Sequence, residues 1–227
     1  MIIVGLLLSG CRTVPLRRVD GRSLKASRSG NAVVFGRIEY VIDGQSKLPY
    51  GFFRPRWPAP TVNATKLESG AALLTPAVQR DGSFLWELPS GHYVITHFGG
   101  GQFTDDWSLA WPRIAFAIPA GAELVYLGDL TLAGTRRAKD FVYSTGRISR
   151  VRGIEYAFPI TNQLPAALER LVKGRQLATP SATVSLMFHD PAMPIGVTFL
   201  KRWQESPEAL IDNVFQPSGW VIPPRAP

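Results

Sequence analysis

Few side chains in this chain have types and spacings that could do chemistry. There is one cysteine, Cys11, and three histidines, His92, His97 and His189. A cysteine thiolate is a nucleophile and a metal ligand. A single one forms no internal disulfide, so the fold must stand on its core. His92 and His97 are five residues apart in a segment that reads as a strand. Alternation puts them on opposite faces, and no shared metal is expected. His189-Asp190-Pro191 reads as a surface turn at a strand end. Asp105 and Asp106 beside Trp107 form a carboxylate pair next to an aromatic ring, a set suited to acid/base work or to sugar contact. The competing reading is a solvated loop with a partly buried tryptophan. No GxSxG, HExxH, CxxC or P-loop spacing occurs. Gly99-Gly100-Gly101 reads as a mobile loop, with no helix after it to receive a phosphate. No catalytic residue, metal or cofactor is expected.

The cysteine closes an apolar run. Ile2 to Leu8 are apolar or small, and Ser9 and Gly10 precede the thiol. A membrane-spanning helix needs about 20 apolar residues, and Arg12 ends this run far earlier. A short apolar stretch with small residues at its end has the form of a processed export segment. Leu8-Ser9-Gly10-Cys11 resembles the lipobox of bacterial lipoproteins. That resemblance implies a diacylglyceryl group on the Cys11 thiol, removal of residues 1–10 as a signal peptide, and acylation of the new amino terminus, palmitate included. It also implies the bacterial outer membrane, periplasmic side, because Arg12 stands where an Asp would favour the inner membrane.

The net charge of +8 is uneven. Residues 12–30 carry six basic side chains against Asp20, and residues 134–227 carry twelve against seven. The stretch 31–133 has seven basic and nine acidic groups. Residues 11–30 are therefore a basic, Ser- and Gly-containing segment without hydrophobic period, expected as a flexible tether. Each basic side chain near an anionic bilayer contributes about 1 kcal/mol; the bland reading is a solvated linker. The folded part shows no basic run with interleaved aromatics, so no nucleic-acid partner is expected.

The elements that would position these groups are mostly strands. In residues 32–42, Val34, Gly36, Ile38, Tyr40 and Ile42 form the better core face. Asp43-Gly44 turns the chain, residues 48–53 read as a short strand, and 54–66 with three prolines read as a loop. Residues 71–79 read as a strand broken at Pro76. From Asp81 to Phe98, Phe84, Trp86 and Leu88 alternate before Pro89-Ser90-Gly91, and Tyr93, Ile95 and His97 alternate after it, the pattern of a β-hairpin. Strands are expected at 113–118, 123–132 and 139–150. Leu164, Leu168, Leu171 and Val172 mark a helix, with Asn162 as cap, Pro165 in the first turn and Gly174 as its stop. Residues 182–188 read as a late strand. The proline-rich remainder reads as irregular, with one helical turn near 207–214.

Short strands between turns predict a mainly β fold, an antiparallel β-sandwich with a C-terminal α-helix and a late strand. It is parsed as sandwich at 31–150 and extension at 151–227. The stretch Asp81-Gly82-Ser83-Phe84 through Pro89-Ser90-Gly91-His92-Tyr93 resembles the transthyretin-like and carboxypeptidase-regulatory-like domains. That likeness covers residues 32–132 at most. It implies a prealbumin-like sandwich in which Gly91 and Tyr93 are structural, and no catalysis of its own. Trp57, Trp107 and Trp111 fall in expected loops, where aromatics often anchor interfaces. The reading is a lipid-anchored, non-catalytic envelope protein. Membrane contact runs through Cys11, and Trp57, Asp105, Asp106, Trp107 and Trp111 are the expected contacts to an envelope protein. The alternative is an envelope carbohydrate-binding protein or hydrolase built on Asp105, Asp106 and Trp107.

Overall fold

Alternating apolar residues in strands need a partner layer on each face they present. The computed structural model shows which layers form; it describes residues 14–15, 24–26, 28–50, 59–70, 72–75, 78–100, 107–144, 147–173 and 180–215. In chain order the elements begin with β1 (Val14–Pro15), β2 (Asn31–Ile42), β3 (Gln45–Ser46), β4 (Thr61–Lys66), β5 (Ala72–Thr75), β6 (Ser83–Pro89) and β7 (Gly91–Gly100). Then come β8 (Trp107–Ile118), β9 (Leu124–Ser144), β10 (Arg147–Ala157), β11 (Ile160–Thr161) and α1 (Leu164–Val172). Last are β12 (Thr183–Val184), β13 (Phe188–His189), α2 (Gly196–Glu205) and α3 (Pro207–Phe215).

Two sheets result. Sheet I runs β1-β5-β4-β7-β8-β13, and sheet II runs β10-β9-β2, with β6 and β3 also on β2 and β11 and β12 on β9. The fold is mainly β, a β-sandwich with C-terminal helices, as the alternation predicts. Most pairings are antiparallel. The long contact between β2 and β9 is parallel, as are those of β1 with β5 and β12 with β9. The central core lies between the sheets. It takes the predicted Val34, Ile38, Tyr40 and Ile42 from β2, Phe84, Trp86 and Leu88 from β6, and Tyr93 and Ile95 from β7.

The strongest sequence pattern is not a hairpin. β6 pairs with β2 in sheet II, whereas β7 pairs with β4 and β8 in sheet I. The chain switches sheets at Ser90-Gly91, and its two arms face each other across the core. A hairpin and a sheet-switching corner both ask for alternating apolar arms, so the alternation fits either. The corner is fixed locally. Gly91 takes φ +141°, a region closed to most residues. Tyr93 is fully buried, and its hydroxyl donates to the Pro89 carbonyl at 2.6 Å. Its ring stacks on Phe116 at 5.0 Å.

Both outer faces are covered as well. Val33, Phe35, Leu85, Leu124 and Tyr126 lie under Ala167 and Leu171 of α1. Val94, Ala115 and Ala117 lie under α2 and α3. α1 starts beyond Gln163, with Asn162 Oδ1 accepting from the Leu164 N–H at 3.2 Å. Arg170 ties it to sheet II through Asp129 at 2.8 Å, and Asp129 also accepts from the Tyr126 hydroxyl at 2.9 Å. Residues 151–215 therefore do not stand apart: β10 to β12 extend sheet II and β13 extends sheet I.

Replacing Tyr93 by Phe keeps the ring and strands the Pro89 carbonyl. The expected loss is about 1 kcal/mol, read as a lower urea midpoint with an unchanged slope.

Candidate functional site

The residues singled out in the sequence fall in different places. Cys11, Trp57, Asp105 and Asp106 lie outside the described residues. Trp107 opens β8 and Trp111 lies inside it, so both tryptophans belong to a strand rather than to a loop. Gly99 and Gly100 end β7, and residues 61–66 form β4 in the interior of sheet I, where a loop was expected. The Trp111 ring is half-buried and packs on Phe199 of α2, with centroids 5.0 Å apart.

Trp111 sits at an irregularity that shapes this whole side. Ile95 faces Ile114, and His97 faces Ala110. One β7 residue, Thr96, thus opposes three β8 residues, Trp111, Pro112 and Arg113. Such bulges bend a strand and re-aim its side chains. Trp111 takes φ +51° and Arg113 φ +59°, conformations costing about 1–3 kcal/mol each for residues other than glycine. Pro112 between them lacks an N–H and suits a point where the ladder is interrupted. The bulge also resets the alternation. Phe98 reaches the central core, so His97 lies on the outer face, the same side as His92 rather than the opposite one.

Trp111 and Arg113 both meet the C-terminal segment. Arg113 Nε donates to the Met193 carbonyl at 3.2 Å, and the Asp190 N–H donates to the Arg113 carbonyl at 3.0 Å. His189 in β13 packs on Phe158 at 4.9 Å. Burial, reinforced by the Arg113 charge and opposed by Asp190, lowers its pKa below the ordinary 6.5.

Two further pins hold the helices. The Trp203 indole N–H donates to the Leu67 carbonyl at 2.7 Å. Its ring fills the space that a Cβ on Gly70 would occupy, and Gly70 has φ +62°. At the other end, Glu68 Oε1 accepts from the His92 backbone N–H at 2.9 Å and lies 2.7 Å from Nδ1 of the same residue. The His92 ring meets Phe215 edge-on at 4.6 Å. Burial pushes the Glu68 carboxyl pKa up, but the hydrogen bonds from His92 outweigh it and hold it below the ordinary 4.5.

The covered helices leave one apolar face outward. Val197 is 82% exposed, Leu200 49% and Ile195 39%. Val197, Leu200, Lys201 and Gln204 follow helical spacing, opposite Phe199 and Trp203, which face the sheet. The residues just before β2 are attached too. The buried Glu87 carboxylate accepts from the Arg28 N–H at 2.9 Å and from Asn31 Nδ2 at 3.0 Å. Leu24 and Ala26 pack against the core under α1.

Among the described residues, no group of three or more His, Cys, Asp or Glu side chains comes together as a metal site. No described helix is long and apolar enough to cross a membrane. No family model matches the chain, and neither a curated protein nor a solved structure matches it.

Sequence reading did not find Glu68, Arg113, Trp203 or Phe215. Phe199 and Trp203, four apart, carried a helical signal for α2; the Glu68–His92 contact spans 24 residues and has no local signal.

Glu68 has its pKa depressed on folding, so its contribution is complete above pH 4.5 and is lost as the pH falls through the lowered value. Glu68→Gln should remove that part of the acid sensitivity in a pH series of denaturation midpoints. At neutral pH it should cost about 0.5–1 kcal/mol, since the group is partly solvated. Gly70→Val should expel the Trp203 ring, seen as a red shift of its fluorescence and faster amide exchange in α2.

Proposed function

We propose that the chain is a lipid-anchored lipoprotein of the bacterial envelope whose folded part works by contact rather than by catalysis. The observation that carries this reading is Leu8-Ser9-Gly10-Cys11 after the apolar run from Ile2, followed at once by Arg12 and the basic segment. Small residues beside the thiol let an extended chain enter a peptidase, and the thiol is the acceptor that diacylglyceryl transfer requires. Diacylglyceryl plus an N-acyl group supplies three chains, above the two signals that stable anchoring takes. The outer membrane, periplasmic side, is the proposed location, because Arg12 and not Asp follows the cysteine.

The folded part suits a scaffold for contact. Its chain is held by pairing from Val14, three residues after the thiol. A lipid on Cys11 would therefore keep the sandwich near the bilayer, where an envelope partner would meet it. Gly91 at φ +141° and Tyr93 bonded to the Pro89 carbonyl hold the corner between the sheets, which supports assigning them to the scaffold rather than to a site.

Cells fed an alkyne palmitate should label the wild-type chain, and Cys11→Ser should lose the label and move from the membrane to the soluble fraction. Equal labelling of both sinks the reading. In-cell crosslinking of the two forms should capture a defined envelope protein with the anchored chain only.

A further inference from the structure

We infer that the outward face of α2, with Val197 and Leu200 beside Lys201, rests on an anionic phospholipid surface when the chain is held by Cys11. This deepens the anchored reading and rests on it.

Three observations meet here. The first is the face itself. Val197 is 82% exposed and Leu200 49%, on a helix whose other side already buries Phe199 and packs Trp203. The helix thus has more apolar surface than its own fold uses. Large apolar side chains bordered by basic ones are the makeup of helices that lie in the plane of a membrane interface. The Lys201 side chain is 73% exposed, with only a 3.9 Å pair to Glu205, and Arg202 is exposed too.

The second is where the chain enters. β1 pairs parallel with β5, Val14 opposite Leu73. A strand parallel to β5 enters from the end where β5 begins, which is the turn at residues 67–70. Cys11 is three residues before Val14. It lies within about 11 Å of it, whatever path the chain takes.

The third is the position of α2. Trp203 is bonded to Leu67 and packed into Gly70, so the helix sits on that same turn. Val197 is within about 9 Å of Trp203 along the helix axis. Anchor exit and apolar face are therefore neighbours. The charges agree: Lys201 borders the face, and the sequence before and after β1 is basic at Arg12, Arg17 and Arg18. An anionic bilayer complements both at once, which an uncharged apolar partner would not.

The full chain, coupled through its Cys11 thiol to a maleimide phospholipid, tests the face whether or not cells acylate that thiol. Amine acetylation of Lys201 is compared with that of Lys173, which follows α1 on the opposite side of the sandwich. On phosphatidylglycerol vesicles Lys201 should react at least fivefold more slowly than in the uncoupled chain, with Lys173 unchanged. Phosphatidylcholine vesicles should give much weaker protection, and Val197→Ser with Leu200→Ser should abolish it. Both substitutions are at exposed positions, and an unchanged thermal midpoint confirms the fold. Equal reactivity of Lys201 on and off the vesicles overturns the inference. So does protection that the double variant retains. Protection in free solution that rises with protein concentration assigns the face to a second copy and overturns it as well. Failure of palmitate labelling in cells would remove the natural anchor and leave this result standing on its own.

Discussion

Sheet I turns Val94, Ala115 and Ala117 away from the central core, and sheet II turns Val33, Phe35 and Leu85 away from it on the other side. Neither set is at home in water. An ordinary sandwich leaves its outer faces polar and needs two layers; this one has apolar residues on all four faces and needs four. That requirement explains the rest of the chain. α1 is laid on sheet II, α2 and α3 on sheet I, and the short strands between them are threaded along β9 and β8 to bring each helix to its place. It also explains why β6 is buried along nearly its whole length, including Glu87, whose carboxylate is satisfied by the segment that leads into β2.

The same requirement makes sense of the unfavourable backbone at Trp111 and Arg113. Two residues held at positive φ oppose folding, and they persist only where the surroundings outweigh them. Here they let β8 keep Ile114 and Phe116 in the central core while Trp111 meets Phe199 and Arg113 reaches the Met193 carbonyl. A regular strand in register would send the chain past these partners. The bulge joins the sandwich to its helical cover.

The sequence showed the class of the fold and the residues of the central core, because those depend on local alternation: Val34 to Ile42, Phe84 to Leu88, and Tyr93 with Ile95. It also showed α1, whose leucines repeat on one face between Asn162 and Gly174. What depends on long-range pairing was hidden. A corner between sheets and a hairpin share one pattern, and only the partners of β6 and β7 separate them. α2 was hidden for another reason. Its prolines were read as marks of irregular chain, but Pro194 precedes the helix and Pro207 opens α3, with Ser206 Oγ accepting from the Ala209 N–H. Apolar residues on both of its faces, Phe199 inward and Val197 outward, blurred the period. Of the expected site residues, Trp111 proved to be packing that a loop assignment could not foresee, since its loop is a strand.

The parallel pairing of β2 with β9 joins Val33 to Leu124, and the cover of sheet I ends at Phe215. A ribosome releases the early strands long before either partner exists. Until then β2 has β3 and β6 beside it but not β9, and the face of Val94 and Ala117 lacks its lid. Non-local topologies of this kind fold slowly. The architecture thus postpones its own closure until α3 has been made.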